Sequence, residues 1–352
     1  MAQPDLSVTI GSIRMKNPVM AASGTFGFGR EFARLFDISA LGAIVTKGLT
    51  LRPRAGNPPP RLWETPCGLL NSVGLQNPGL ATFARDEAPV LAARGVPIIA
   101  NISGDSVAEF CELASRLEDV PGIQGIEVNV SCPNIHAGGR PFASDPEAVY
   151  EVTAAVRRAS AKTLIVKLSP NVADIAGSAR AAEMGGADAV SCVNTYLGVA
   201  IDARRMRPAF SRVFAGLSGP AIRPLALRAV WEVASCVKIP VVGMGGICTA
   251  QDAVEFLLAG ATAVAIGTGN FISPTTCLDG IDGIRAYLAD RGMSAVTDLV
   301  GRARWRARCR CRDNMGESDA PRVPDCGSSA NGKHAWGESE RGSEDRGRQS
   351  VV

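Results

Sequence analysis

Eight short apolar runs recur along the chain at fairly regular spacing, over 18–23, 43–47, 97–102, 125–131, 164–169, 187–194, 240–245 and 263–267. Each is bounded by Gly, Pro, Asn or Ser, as buried strands are. Amphipathic stretches of helical period fall between most of them, for example over 106–117, 145–160, 172–184, 221–235 and 249–258. Ser106, Asp145 and Thr249 stand where N-caps belong, and Pro146 takes a first-turn position. Eight strands alternating with helices predict an α/β fold, the (β/α)8 TIM barrel, and a chain of 352 residues is long enough for one.

The runs are apolar on both faces, as parallel strands covered by helices must be, and each ends in polar residues or glycine. Barrels place their chemistry at those ends. Ahead of the first run, the alternation Leu6-Ser7-Val8-Thr9-Ile10 followed by Gly11 predicts a small N-terminal hairpin closing the lower end of the barrel. The connection 49–76 carries a Pro/Gly-rich stretch and is too long for a plain turn, which suggests a lid or docking surface.

From Arg302 the pattern changes. Arginine occupies every second position to 312, and a Gly/Ser/charged stretch without apolar periodicity follows. Residues 1–301 hold 26 basic and 26 acidic residues, so the whole net charge of +3 belongs to 302–352. The expected division is a catalytic barrel over 1–301 and a disordered C-terminal tail over 302–352. No run approaches the ~18 apolar residues of a membrane helix, and residues 1–7 lack the charged start and apolar stretch of a signal peptide. The expected location is the cytoplasm, with neither membrane nor nucleic acid as partner.

Ten cysteines are scattered without any Cys-x-x-Cys spacing, so no iron–sulfur or zinc framework is legible and no metal site is expected. Two histidines, His136 and His334, leave little room for Ser-His or Cys-His hydrolase chemistry. The strand ends, taken in order, offer Ser23-Gly24, Lys47-Gly48, Asn101, Asn129, Lys167, Val193-Asn194-Thr195, Gly245-Gly246 and Gly267-Thr268. Two lysines and several carboxamides in one ring are costly to bury unless an anion rich in hydrogen-bonding groups fills the centre. Gly245-Gly246 and Gly267-Thr268 lie at strands seven and eight, where barrels commonly bind phosphate. Lys167 sits between apolar neighbours and requires a partner.

Cys132 follows the fourth strand end, in the polar run Asn129-Val130-Ser131-Cys132-Pro133-Asn134. Buried cysteines are usually inert fillers, but this one lies in a polar loop. A thiol of ordinary pKa about 8.5 can accept a carbon-bound proton when nearby donors support its thiolate. His136 is the other base in reach, although a loop histidine beside Gly138-Gly139 is more often simply exposed.

Over residues 1–301 the chain resembles the dihydroorotate dehydrogenase family. The segments that carry the resemblance are 17–27 (Asn-Pro-Val-Met-Ala-Ala-Ser-Gly-Thr-Phe-Gly), 71–79 (Asn-Ser-Val-Gly-Leu-Gln-Asn-Pro-Gly) and 129–134. The run 21–27 and the loop Asn57-Pro58-Pro59-Pro60-Arg61 look like the NAD-linked bacterial subtype, class 1B. The membrane-associated class carries an N-terminal amphipathic extension and uses serine as base.

The resemblance implies FMN held by Ser23, Lys47, Gly48, Asn101, Asn129, Lys167, Val193, Gly219, Gly245, Gly246, Gly267 and Thr268. It implies that Lys47, Asn71, Ser72, Val73, Gly74, Leu75, Asn129, Asn194 and Thr195 hold dihydroorotate, and that Cys132 is the catalytic base. Cys132 would take a proton from the ring methylene while hydride leaves the adjacent carbon for FMN, giving orotate for pyrimidine biosynthesis. Electrons would then pass to NAD through a separate subunit carrying FAD and a [2Fe–2S] cluster, with the catalytic subunits paired as a homodimer. Two other readings stay open on the residues. One is a dihydropyrimidine dehydrogenase-like flavin barrel, and the other a non-catalytic flavin or phosphate scaffold. A tail beyond 301 departs from the family pattern.

Overall fold

Each of the eight apolar runs becomes a parallel strand. The computed structural model describes residues 3–131 and 145–304. In chain order its strands are β1 (Val8–Ile10), β2 (Ile13–Met15), β3 (Val19–Ala21), β4 (Ala43–Val45), β5 (Leu62–Thr65), β6 (Gly68–Asn71), β7 (Ile98–Ile102) and β8 (Ile123–Asn129). They continue as β9 (Thr163–Lys167), β10 (Ala189–Cys192), β11 (Tyr196–Val199), β12 (Ile201–Asp202), β13 (Arg207–Pro208), β14 (Phe214–Ser218), β15 (Val241–Met244) and β16 (Ala263–Ile266). Strands β3, β4, β7, β8, β9, β10, β15 and β16 close into a barrel in that order. Every barrel pairing is parallel.

All five residues of β7 and all five of β9 are buried, because the barrel interior covers one face and helices cover the other. Most of the sequence runs extend past the strands by a residue or two, and those residues, with polar groups at the strand ends, line the rim of the barrel. The expected caps start the helices. Ser106 Oγ accepts from the amide of Glu109 at 3.2 Å, and Asp145 Oδ1 accepts from that of Glu147 at 3.0 Å. Thr249 and Asp252 form a reciprocal capping box on the helix Ala250–Ala259.

The hairpin β1–β2 occupies the lower end of the barrel, as its alternation predicts. The Ser12 amide donates to Thr163 Oγ1 at 3.0 Å, and a Cβ on Gly125 would lie 2.8 Å from Ile13 Cδ1. The plug and the bottom layer of barrel side chains therefore interlock.

A second sheet was not legible in the sequence. Strands β11, β14, β6 and β5 form a four-stranded antiparallel sheet, with β12–β13 as a separate short hairpin. The excursion 49–76 supplies β5 and β6, and the segment after β10 supplies the rest. A small core of Leu70, Ala200, Phe210 and Ala215 holds it together. Its strands are half exposed, and β6 pairs with β14 across nearly half of the chain, so no local periodicity announces them.

Residues 302–304 continue a helical turn after Gly301. The expected tail from 305 onward lies outside the described residues, as does the loop 132–144 with Cys132 and His136.

Candidate active site

The barrel's inward-facing residues set the site in layers. On β8, positions 125, 127 and 129 share the interior face by the strand's period of two, so Glu127 and Asn129 point inward above Gly125. β7 contributes Asn101, β9 Lys167 and β10 Ser191, each in register with that face. Glu127 is 1% exposed and Lys167 6%. Asn101 Nδ2 donates to Glu127 Oε2 at 2.6 Å and Ser191 Oγ donates to Glu127 Oε1 at 2.8 Å. Lys167 Nζ donates to Ser23 Oγ at 3.0 Å and stands 3.9 Å from Glu127 Oε2.

Sequence reasoning missed Glu127 and Ser191. The signal was present, since a carboxylate at 127 shares a strand face with Asn129, but the surrounding apolar residues masked it. Lys167 thus finds part of its required partner inside the chain.

Above this layer the rim carries carboxamides. Asn194 Nδ2 donates to Asn129 Oδ1 at 3.1 Å, and the Ser131 amide donates to the same oxygen at 3.2 Å. Asn194 Oδ1 accepts from the Thr195 amide at 2.8 Å. Ser131 Oγ, next to Cys132, is buried and has no hydrogen-bond partner among the described residues. The chain is described as far as Ser131, so the expected base Cys132 lies just outside.

Lys47 is half-buried, and burial pushes its ammonium below the usual lysine value of 10.5, with Arg61 pushing the same way. Arg61 itself is fixed by the carbonyls of Asn57 and Ala55 and by Gln76 Oε1. With Arg61 acting on Lys47 and no carboxylate doing so among the described residues, the place favours an anion. Charging Lys47 costs the ligand-free fold stability below its lowered pKa, and that cost fades as pH rises toward 10.5. Lys47→Met is therefore expected to raise the melting temperature of the ligand-free protein at neutral pH, by a margin that narrows on alkalinisation. Turnover should fall by about 10- to 100-fold in kcat/KM. A thermal melt beside an initial-rate assay checks both.

The expected substrate residues 71–75 form a loop braced from behind. Asn71 Nδ2 donates to the Gly216 carbonyl at 3.1 Å, and Asn57 Nδ2 donates to Ser72 Oγ at 3.1 Å. The Asn57 amide donates to the Val73 carbonyl at 3.0 Å, and Asn57 also packs against Gly74. Leu75 has φ 54°, a strained value for a branched side chain, and its Cδ2 would lie 3.5 Å from a Cβ on Gly48. That contact brings the loop to the strand end carrying Lys47. Asn71 and Thr195 converge on Gly216, so β6 and β11 deliver both to one place.

Strands seven and eight end in backbone shaped for close approach. Gly245 has φ 125° and Gly246 φ 79°. Thr268 Oγ1 donates to Ser218 Oγ at 2.8 Å, beside Gly219. Val193 is buried, and its amide donates to the Met244 carbonyl at 2.9 Å. Thr25 Oγ1, buried and without a hydrogen-bond partner among the described residues, would be 3.7 Å from a Cβ on Gly267. An orphaned hydroxyl beside side-chain-free backbone fits a phosphate-bearing cofactor.

Among the described residues no group of three or more His, Cys, Asp or Glu is placed to hold a metal ion, and no helix is long and apolar enough to cross a membrane.

The family model described as dihydroorotate dehydrogenase matches residues 5–288. The dihydroorotate dehydrogenase B (NAD(+)) catalytic subunit of Thermoanaerobacter pseudethanolicus is 53% identical over 297 residues, covering 84% of this chain and 98% of that protein. The protein of the same name from Geotalea uraniireducens is 51% identical over 301 residues, 86% of this chain and 99% of its own length. That from Geobacter sulfurreducens is 50% identical over 301 residues, with the same two shares.

Proposed function

The chain belongs to the dihydroorotate dehydrogenase family, and on that premise we propose that it oxidises dihydroorotate with FMN as its flavin and Cys132 as its base. It is an oxidoreductase of pyrimidine biosynthesis, a flavin enzyme whose relatives are named as catalytic subunits of an NAD-linked assembly. FMN, when bound, supplies the two-electron acceptor for this oxidation. Ser23, Gly48, Asn101, Lys167, Val193 and Gly219 would hold it, with Gly245, Gly246, Gly267 and Thr268 at its phosphate. Lys47 neutralises the substrate carboxylate. Asn129 and Asn194 present donors and acceptors to the ring amides, with the loop 71–75 and Thr195 closing over them. Cys132 takes the proton from the ring methylene.

The observation that carries this reading is the half-buried Lys47, with no carboxylate partner among the described residues, on the same rim as the Asn129–Asn194 carboxamide pair. The purified chain is expected to be yellow, with a flavin absorbance band. Colourless protein that takes up no FMN on reconstitution would sink the proposal.

We also propose a homodimer of catalytic subunits that hands electrons to a partner subunit bearing FAD and a [2Fe–2S] cluster, all in the cytoplasm. Leu197, Val199, Ile201, Met206 and Phe214 are exposed on and beside the second sheet, an apolar surface of the kind that assembly covers. Phe214→Glu is expected to shift the dimer toward monomer in light scattering, and an unchanged mass would remove this surface from the assembly.

A further inference from the structure

One buried acid has no part in the chemistry described above. We propose that Glu127 is a positioning residue that fixes both the Asn101 carboxamide and the Lys167 ammonium toward the cofactor, an inference that rests on the flavin reading. A carboxylate only accepts hydrogen bonds, so the Asn101 edge facing Glu127 must be its NH2 group. The Asn101 oxygen is thereby turned the other way, and lies 3.0 Å from where a Cβ on Gly48 would stand. Asn101 thus offers an acceptor to the rim and cannot reverse while Glu127 is ionised. The same Glu127 oxygen, Oε2, stands 3.9 Å from Lys167 Nζ. Ser191 holds the other oxygen, so the carboxylate itself has little freedom to turn.

The chain Asn101–Glu127–Ser191 with Lys167–Ser23 spans β7, β8, β10, β9 and the end of β3 inside the barrel. Glu127 supplies its negative charge and Lys167 its positive one. The other rim cation, Lys47, is acted on by the like charge of Arg61. A buried ammonium deprived of its carboxylate is strongly disfavoured, and it withdraws toward water. That displacement removes positive charge from the place where a flavin would gain negative charge on reduction. Glu127 therefore acts on the flavin through Lys167 and Asn101, without touching substrate.

The test is the affinity of the full chain for reduced relative to oxidised FMN, read from the midpoint potential of the bound cofactor. Glu127→Gln keeps the size of the side chain and removes its charge. It is expected to lower that ratio about ten-fold, equivalent to about 30 mV for a two-electron couple. Glu127→Asp, which retains the charge, should recover part of the shift. In a Lys167→Met background, Glu127→Gln should add less than about half of its effect in the wild-type background, because the main group it acts through is gone. If Glu127→Gln does not fold, Ser191→Ala frees one carboxylate oxygen and should shift the ratio the same way by about two-fold. An unchanged ratio with only a lower melting temperature would reduce Glu127 to a structural role and overturn the proposal. A raised ratio would overturn it too, showing a bare negative charge acting directly. A colourless wild-type chain is a separate result, and it would remove the flavin reading itself.

Discussion

Cys132→Ala protein is expected to bind flavin normally while its turnover at pH 7 falls about 10²- to 10⁴-fold, the usual contribution of a positioned base. Cys132→Ser should recover activity only as pH rises, because a hydroxyl gives up its proton far less readily than a thiol. Five of the other thiols, all within the described residues, offer no substitute. Burial pushes those of Cys192, Cys236, Cys248 and Cys111 up, and that of Cys277 up to about 12. A buried thiol held in its neutral form is no base at neutral pH. Steady-state rates and flavin content measured on the same preparation separate loss of the base from loss of the cofactor. Wild-type rates in the alanine variant would assign the proton to another group.

Gly246→Ala should have the second largest effect, on cofactor affinity. Its φ of 79° already costs an alanine about 1–3 kcal/mol. The added Cβ would also lie 2.9 Å from the Arg223 amide nitrogen and 2.9 Å from the Gly219 carbonyl oxygen, both backbone atoms that cannot swing aside. The backbone must shift at the place expected to receive the phosphate, where a lost charge-assisted hydrogen bond or two corresponds to roughly 100-fold weaker FMN binding. Gly95→Ala provides the control. Gly95 also has positive φ, 71°, but a Cβ there meets nothing within 4 Å. It should lower the melting temperature modestly and leave FMN affinity unchanged. Equal flavin loss in both variants would show a general stability effect and not a phosphate cradle.

The barrel was legible because its strands are buried on both faces. Segments such as Ile98–Ile102 and Thr163–Lys167 therefore read as apolar runs whatever they pair with. The caps at Ser106, Asp145 and Thr249 were legible for the same local reason, since a helix start is decided within four residues. The second sheet was not, because β11 alternates half-buried with exposed positions, β14 does not alternate at all, and β14 finds its partner β6 only through tertiary folding. The rim residues were identified as strand-end polar groups, and the structure brings Asn129 to Asn194, Lys167 to Ser23 and Asn71 to Thr195. Their hydrogen-bond partners were not identified. Glu127 shows why, since a polar residue within an apolar run gains meaning only when neighbouring strands place Asn101 and Ser191 against it.

Anaerobic mixing with dihydroorotate tests substrate, cofactor and half-reaction together. The flavin-loaded chain, alone and without NAD or a partner, is expected to lose the absorbance that oxidised flavins show at about 450 nm. Uracil or dihydrouracil at the same concentration should leave the spectrum unchanged. A loaded chain that stays yellow with dihydroorotate, or that responds to the uracil pair instead, would contradict the assignment.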